Sequence, residues 1–258
     1  MKDIFLRASD LAKLTGHNTY GDPQETLDLI LHQNKICVRD VSRSNTESAL
    51  KRMKPEDFAC VKRELGLDTS ASIQDVEQAV KKKALSRAYS SSITEDKSRE
   101  TVQDNLSGCS KEMKSLEESL THDLRMRRGN IKECKNLDHI QKKRSMPITQ
   151  RNSQMFTKTL YCEGDQYRVL IRGKVDGISG ETIIETKNRT KRLFHTLRDY
   201  ERVQLEAYMF LTGHDEALLT EHYNDESNEI EYSHDEDFWC ECTAKIINYI
   251  NENVACHL

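Results

Sequence analysis

Gly173-Lys174-Val175-Asp176-Gly177, followed after a short turn by Thr182-Ile183-Ile184-Glu185-Thr186-Lys187, is the stretch on which the fold turns. Asp176 falls towards the end of a strand expected over Tyr167–Ile178, and Glu185 and Lys187 fall in a second strand expected over Thr182–Thr186 and just beyond. Residues two apart on a strand share a face, so Glu185 and Lys187 lie together and the hairpin can bring Asp176 opposite them. Two carboxylates and an intervening main-chain carbonyl form an oxygen-rich set suited to Mg²⁺, with Mn²⁺ as a substitute. A lysine beside such a cation can orient a water and offset charge developing on a phosphate. A Glu-x-Lys triplet alone arises by chance in so charged a chain, or decorates an exposed hairpin. Here Ile183-Ile184 places it at the charged end of a buried strand.

Outward from this hairpin the pattern stays mixed. Lys158–Glu163 reads as a strand, with Gly164-Asp165 and Ser179-Gly180 as turn pairs on either side of Tyr167–Ile178. A helix carrying Tyr200, Val203, Ala207 and Phe210 follows, and it sets Gln204 and Tyr208 four residues apart on one face. These two side chains can hold a water or a phosphate oxygen, or Tyr208 can be a core aromatic. Strands over Ala217–His222 and Glu229–Tyr232 precede a closing helix from about Asp237 to Asn253. Upstream, Met113, Leu116, Leu120 and Leu124 recur at helical spacing towards Glu133 and Leu137. The order of elements predicts an α/β fold: a mixed sheet with an antiparallel meander at its centre, flanked by helices.

Residues 1–36 read as two short helices. Ser9 is placed to cap the first, which Gly16 ends, and Asp22-Pro23-Gln24-Glu25 opens the second. Residues 44–85 read as three further short helices, and 86–110, rich in serine, as a flexible connector. The chain therefore divides into an N-terminal helical part (1–36), a helical insertion with its connector (37–110) and a core (111–258).

The net charge of −4 conceals an uneven distribution. From Gly213 to Leu258 there are twelve acids against Lys245 alone, so the rest of the chain is basic. Positive charge concentrates in Arg125–Arg151 and Lys187–Arg202, either as solvated faces or as a groove for a polyanion. No apolar run approaches the roughly 18 residues that a membrane-spanning helix needs, and Met1–Ser9 lacks the character of a secretory signal. With eight scattered cysteines and no C-x2-C pair, the expectation is an intracellular chain, cytoplasmic or nuclear, with reduced thiols.

Gly-x-x-Asp, Glu-x-Lys and Gln-x-x-x-Tyr, in this order and spacing, resemble the PD-(D/E)XK nuclease superfamily and its restriction-endonuclease-like core, with Val175 in place of the proline. Arg128-Gly129-Asn130-Ile131-Lys132-Glu133 resembles a helical element that supplies an upstream acid, and Ala8-Ser9 through Gly16-His17-Asn18-Thr19-Tyr20 resembles the N-terminal element of phage-lambda-type exonucleases, the YqaJ-like viral recombinases. The resemblance covers roughly 1–30 and 113–255. It implies that Asp176 and Glu185 bind the metal with the Thr186 carbonyl, and that Glu133 acts on a second metal or through water. Lys187 would position the attacking water, Gln204 would order it, and Tyr208 would support that helix face. Ser9, Arg128 and Arg189 are the candidate nucleic-acid contacts, although capping explains Ser9 and solvation explains Arg128 equally well.

The implied activity is Mg²⁺-dependent hydrolysis of double-stranded DNA from an end, in recombination, repair or viral DNA processing. A single-strand annealing protein and further copies of the chain are the implied partners. An endonuclease or RecB-like repair nuclease on the same fold, or a non-catalytic DNA-binding relative, remain alternatives. Some nucleases of this superfamily hold an iron–sulfur cluster, and Cys134 with Cys240, Cys242 and Cys256 imitates the order but not the spacing, so no cluster is expected.

Overall fold

The computed structural model describes residues 1–36, 44–90 and 92–258, so Cys37 and the start of the expected insertion lie outside the described residues. The chain opens with a strand, not a helix. In β1 (Lys2–Arg7) Ile4 and Leu6 point into the core while their neighbours face outward, the period-two pattern of a half-buried strand. It pairs in parallel with β3 (Tyr167–Gly173), from Lys2 opposite Tyr167 to Arg7 opposite Arg172. β2 (Phe156–Glu163) lies antiparallel on the other side of β3. The reading of 1–36 as helices alone is therefore corrected.

The strand expected over Tyr167–Ile178 is also broken. It ends at Gly173, crosses Lys174-Val175-Asp176, and resumes as β4 (Gly177–Ser179) in a second sheet. Val175 turns into the core, 1 % exposed, and pins this crossing. That second sheet runs β4, β5 (Thr182–Asn188), β6 (Glu216–Tyr223), β7 (Glu226–Ser233). β5 and β6 are parallel, and the helix between them, Asp199–Thr212, supplies the crossover that parallel neighbours require. The mixed α/β class stands, but the central meander is reduced to hairpin pairings within two sheets.

The helices are α1 (Leu11–Leu14), α2 (Pro23–Gln33), α3 (Asn45–Arg52), α4 (Pro55–Glu64), α5 (Ile73–Ala84), α6 (Glu95–Leu106), α7 (Lys111–Lys114), α8 (Glu117–Arg144), α9 (Asp199–Thr212) and α10 (Glu236–Asn253). Asp22 caps α2 by accepting from the Gln24 N–H, with Pro23 in the first turn. Ser9 caps nothing. β1 runs straight into a 3-10 turn, Ala8–Asp10, so Arg7 takes the cap position and Ser9 is exposed inside the turn. Within the expected connector, Glu95–Leu106 is not loose chain but α6, which buries Ser98, Val102 and Leu106.

Among the described residues three apolar clusters organise the fold. The largest joins β1, β3, β5 and β6 to α1, α2, α9 and α10 through Ile4, Val169, Ile183, Val203, Leu219 and Ile246. A second, around Val61, Val80, Val102 and Leu116, unites the helical block with the first half of α8. The third, Leu137, Ile140, Ile148, Ile184 and Leu218, seats the second half of α8 on the opposite face of β5 and β6. The long helix thus belongs to both halves, and Ile183 and Ile184 bury both faces of β5. The acidic C-terminal quarter is built into the fold as β6, β7 and α10, where Glu229 pairs with Lys143 and Arg144 and Asp235 with Arg202. Among the described residues no helix is long and apolar enough to cross a membrane.

Candidate active site

The crossing from one sheet to the other sets Asp176 beside β5. Its Oδ2 accepts from the Thr186 N–H at 2.8 Å and the Thr186 hydroxyl at 3.1 Å. The glycines on either side permit this path. A Cβ on Gly173 would lie 2.9 Å from Tyr208 Cε1 and 3.0 Å from Ala8 Cβ, and one on Gly177 would collide with Ile148. Thr186 therefore meets Asp176 through its donors and orients the carboxylate.

On the α9 face of β5, Glu185 is 4 % exposed and Lys187 extends alongside it. Lys187 Nζ donates to Glu185 Oε1 at 2.6 Å and to Gln204 Oε1 at 2.9 Å. Gln204 Nε2 in turn donates to the Tyr208 hydroxyl at 2.9 Å and to Glu185 Oε1 at 3.2 Å. Two strand residues and two helix residues thus form one network, as their spacings lead one to expect. The second oxygen of Glu185, Oε2, is buried without a hydrogen-bond partner among the described residues. A buried carboxylate oxygen left unpaired is costly, and a cation is the natural partner for it.

Glu133 reaches the same region from α8. Asn152 Nδ2 donates to Glu133 Oε1 at 3.0 Å, and the Asn152 N–H donates to the Asp176 carbonyl at 3.1 Å. Asn152, which the sequence reading missed, ties the upstream acid to the strand crossing. Its φ of 42° lies in the left-handed region that asparagine tolerates better than most residues. An Arg-Asn pair in a polar turn carries no motif, so only an asparagine's tolerance of left-handed backbone could have drawn attention to it.

The electrostatics suit a cation. Burial first, then the Glu133 charge, pushes Asp176 up to about 6. Burial first, then the Asp176 charge, pushes Glu185 up to about 7. Burial, with Glu185 adding to it, raises Glu133. Burial opposes the Lys187 charge, yet the adjoining Glu185 carboxylate holds its pKa above the ordinary lysine value. Carboxylates that repel one another at the cost of raised pKa values form a site that a divalent cation relieves. Among the described residues no three His, Cys, Asp or Glu side chains gather at ligating spacing. The oxygen set of Asp176 and Glu185 fits Mg²⁺, which is usually bound through one or two carboxylates plus waters and phosphate oxygens.

The remaining candidate residues sit elsewhere. Arg128 is 2 % exposed and is spent on Glu95 and on the carbonyls of Ala88, Ser90 and Ile93, so its expected phosphate contact is corrected. Arg189 is likewise buried, its guanidinium bonded to Glu201 and Glu221, so its expected nucleic-acid contact is corrected. Much of the Arg125–Arg151 charge is consumed internally: Lys132 bonds Glu95, Arg127 stacks over Tyr89, and Arg151 pairs with Asp138. Ser9 remains exposed beside Ala8, which packs near Gly173. Cys242 is buried, whereas Cys134, Cys240 and Cys256 are exposed.

No family model matches the chain, and no curated protein matches it. Several solved structures are similar to it at low identity. An alkaline exonuclease from Laribacter hongkongensis is 14 % identical over 79 % of this chain and 94 % of its own, with a TM-score of 0.43. The same enzyme in complex with dAMP is 13 % identical over 82 % of this chain and 92 % of its own, with a TM-score of 0.40. A phage-related exonuclease from Haemophilus somnus is 11 % identical over 100 % of this chain and 97 % of its own, with a TM-score of 0.39.

Proposed function

We propose that this protein is a Mg²⁺-dependent deoxyribonuclease acting on the ends of double-stranded DNA. The observation that carries this reading is the unpartnered, buried Glu185 Oε2, set beside Asp176 and a lysine held by Glu185 and Gln204. Asp176 and Glu185 would hold the ion, with the Thr186 carbonyl as a further oxygen, and Glu133 would act through water or on a second ion. A divalent cation there supplies Lewis-acid stabilisation of charge on the phosphate and acidifies a water. Lys187 keeps its proton because Glu185 adjoins it, so it presents a fixed positive charge to the attacking water and the phosphate. Gln204 fixes Lys187, and Tyr208 fixes Gln204. Asn152 holds Glu133 in register with Asp176. The preference for DNA ends rests on the motif resemblance to lambda-type exonucleases.

The test is digestion of linear duplex DNA with 5′ phosphates beside covalently closed circular DNA, with and without Mg²⁺. Loss of the linear substrate alone, absent in Lys187→Ala, supports the end-dependent reading. Cutting of the circle makes the protein an endonuclease. DNA binding without metal-dependent loss of either substrate makes it a non-catalytic DNA-binding protein.

A further inference from the structure

A polar cavity of about 460 Å³ lies across the end of β5 from the candidate active site. β5 turns Lys187 towards α9 and the next residue, Asn188, towards α8, since successive strand residues face opposite ways. Asn188 and His222, paired across β5 and β6, form one wall. Lys132, Lys135, Asn136 and His139 of α8 form another. The walls are fixed. Asn136 donates to Asn188 Oδ1, and Asn188 donates to the Gly129 carbonyl. The β6–β7 turn is tied to α6 by Asn224 accepting from the Glu95 N–H and by the Tyr223 hydroxyl on Asp96.

In the wall residue His222, Nε2 is buried from solvent and has no hydrogen-bond partner among the described residues. The His139 ring lies 6.2 Å away, edge on. Burial first, then His139, lowers the His222 pKa to about 4, so the imidazole is neutral. Lys135 makes no ion pair among the described residues, and Lys132 brings a second ammonium held on Glu95. Two ammonium groups disfavour a metal ion, and no third His, Cys, Asp or Glu completes a ligand set with the two histidines among the described residues. The carboxylates of Asp225 and Glu226 are exposed at the hairpin rim. The interior offers donors and positive charge to an oxyanion.

We infer that this cavity binds a phosphate group, and, resting on the nuclease reading above, that of the DNA strand passing the candidate active site. DNA affinity measured in EDTA, where no cleavage competes, tests it in Lys135→Glu, Lys135→Ala and His222→Phe. Lys135 is exposed, so its variants fold, and His222→Phe keeps a ring while removing both ring nitrogens. Each variant is expected to weaken DNA binding about tenfold at low salt, and Lys135→Ala to flatten the dependence of log Kd on log salt by about 0.7–0.9. Lys82→Ala, exposed on α5, is the control and changes neither. Unchanged affinity and salt slope in the Lys135 variants overturn the inference. Inorganic phosphate or dAMP shifting the His222 resonances while DNA affinity is unaffected assigns the cavity to free phosphate and overturns the strand reading. Zn²⁺ binding lost in His222→Phe overturns it in favour of a metal site. Failure of the nuclease reading looks different: the wild type binds DNA with these dependences yet cleaves nothing when Mg²⁺ is added.

Discussion

Lys187 Nζ lies 2.6 Å from Glu185 Oε1, two residues back on the same strand, and leaves Glu185 Oε2 free of any protein donor. The lysine therefore occupies one oxygen of the carboxylate without closing the other to a cation. Lys187→Ala is expected to lower the rate of DNA cleavage by about 10³-fold, the scale for removing one preorganised stabilising group. DNA affinity should be retained, as read by fluorescence anisotropy. Parallel loss of binding and cleavage would make the lysine a structural prop.

Asp176 predicts a pH dependence of stability. Its folded pKa, about 6, lies above the ordinary 3.8, so the folded state holds the proton more tightly than the unfolded chain. Its contribution is fully present below about pH 4 and is lost as pH rises through 6. Asp176→Asn should therefore stabilise the metal-free protein by on the order of 2 kcal/mol at pH 8, with the gain vanishing near pH 4. Thermal melts across that range check this. Mg²⁺ should raise the melting temperature of the wild type at pH 8 and leave the variant unmoved.

On the proposed reading, a bound cation would displace the protons that Asp176 and Glu185 hold near neutrality, at about 6 and about 7. The Mg²⁺ concentration giving half-maximal cleavage should fall steadily from pH 6 to pH 8 and then level off. A requirement independent of pH over that interval would mean that these carboxylates do not hold the ion.

Asn152 joins Glu133 to the backbone of Asp176. Asn152→Gly preserves the left-handed backbone and removes only the amide. It should reduce activity about 10–100-fold, as loss of a group orienting a metal site does, and raise the Mg²⁺ requirement. Retained activity at limiting Mg²⁺ would leave Glu133 outside the reaction.

Arg128 and Glu95 are buried together, with Lys132 on the same carboxylate. Arg128→Met should cost about 3–5 kcal/mol because Glu95 is left charged and poorly paired in the interior. Arg128→Met with Glu95→Leu should recover much of that loss. Denaturant titrations of the two single variants and the double variant measure the coupling.

What the sequence disclosed was short-range. Glu185 with Lys187, and Gln204 with Tyr208, are each fixed within one regular element, where strand and helix periodicities dictate which side chains meet. Arg128 and Arg189 were misread because a sequence displays a charge but not the carboxylate that answers it: Glu95 lies 33 residues from Arg128, and Glu221 lies 32 from Arg189. Ser9 has cap chemistry, but a strand running directly into the turn moved the cap to Arg7. β1 escaped for a related reason. Its alternation is only six residues long, and its partner lies far along the chain. The serine-rich flanks of α6 masked Val102 and Leu106, whose packing against the helical block decides its structure.

The parallel pairing of Lys2–Arg7 with Tyr167–Gly173 also sets an order of assembly. As the chain is synthesised, β1 meets α2 early, through Asn34 on both the N–H and the carbonyl of Phe5, but waits without a partner strand until Gly173 has been made. Pairings of such long separation form slowly, because the entropy of closing the loop must be met first. The six-residue strand, with its apolar Ile4 and Leu6, is then the segment most open to mispairing during biosynthesis.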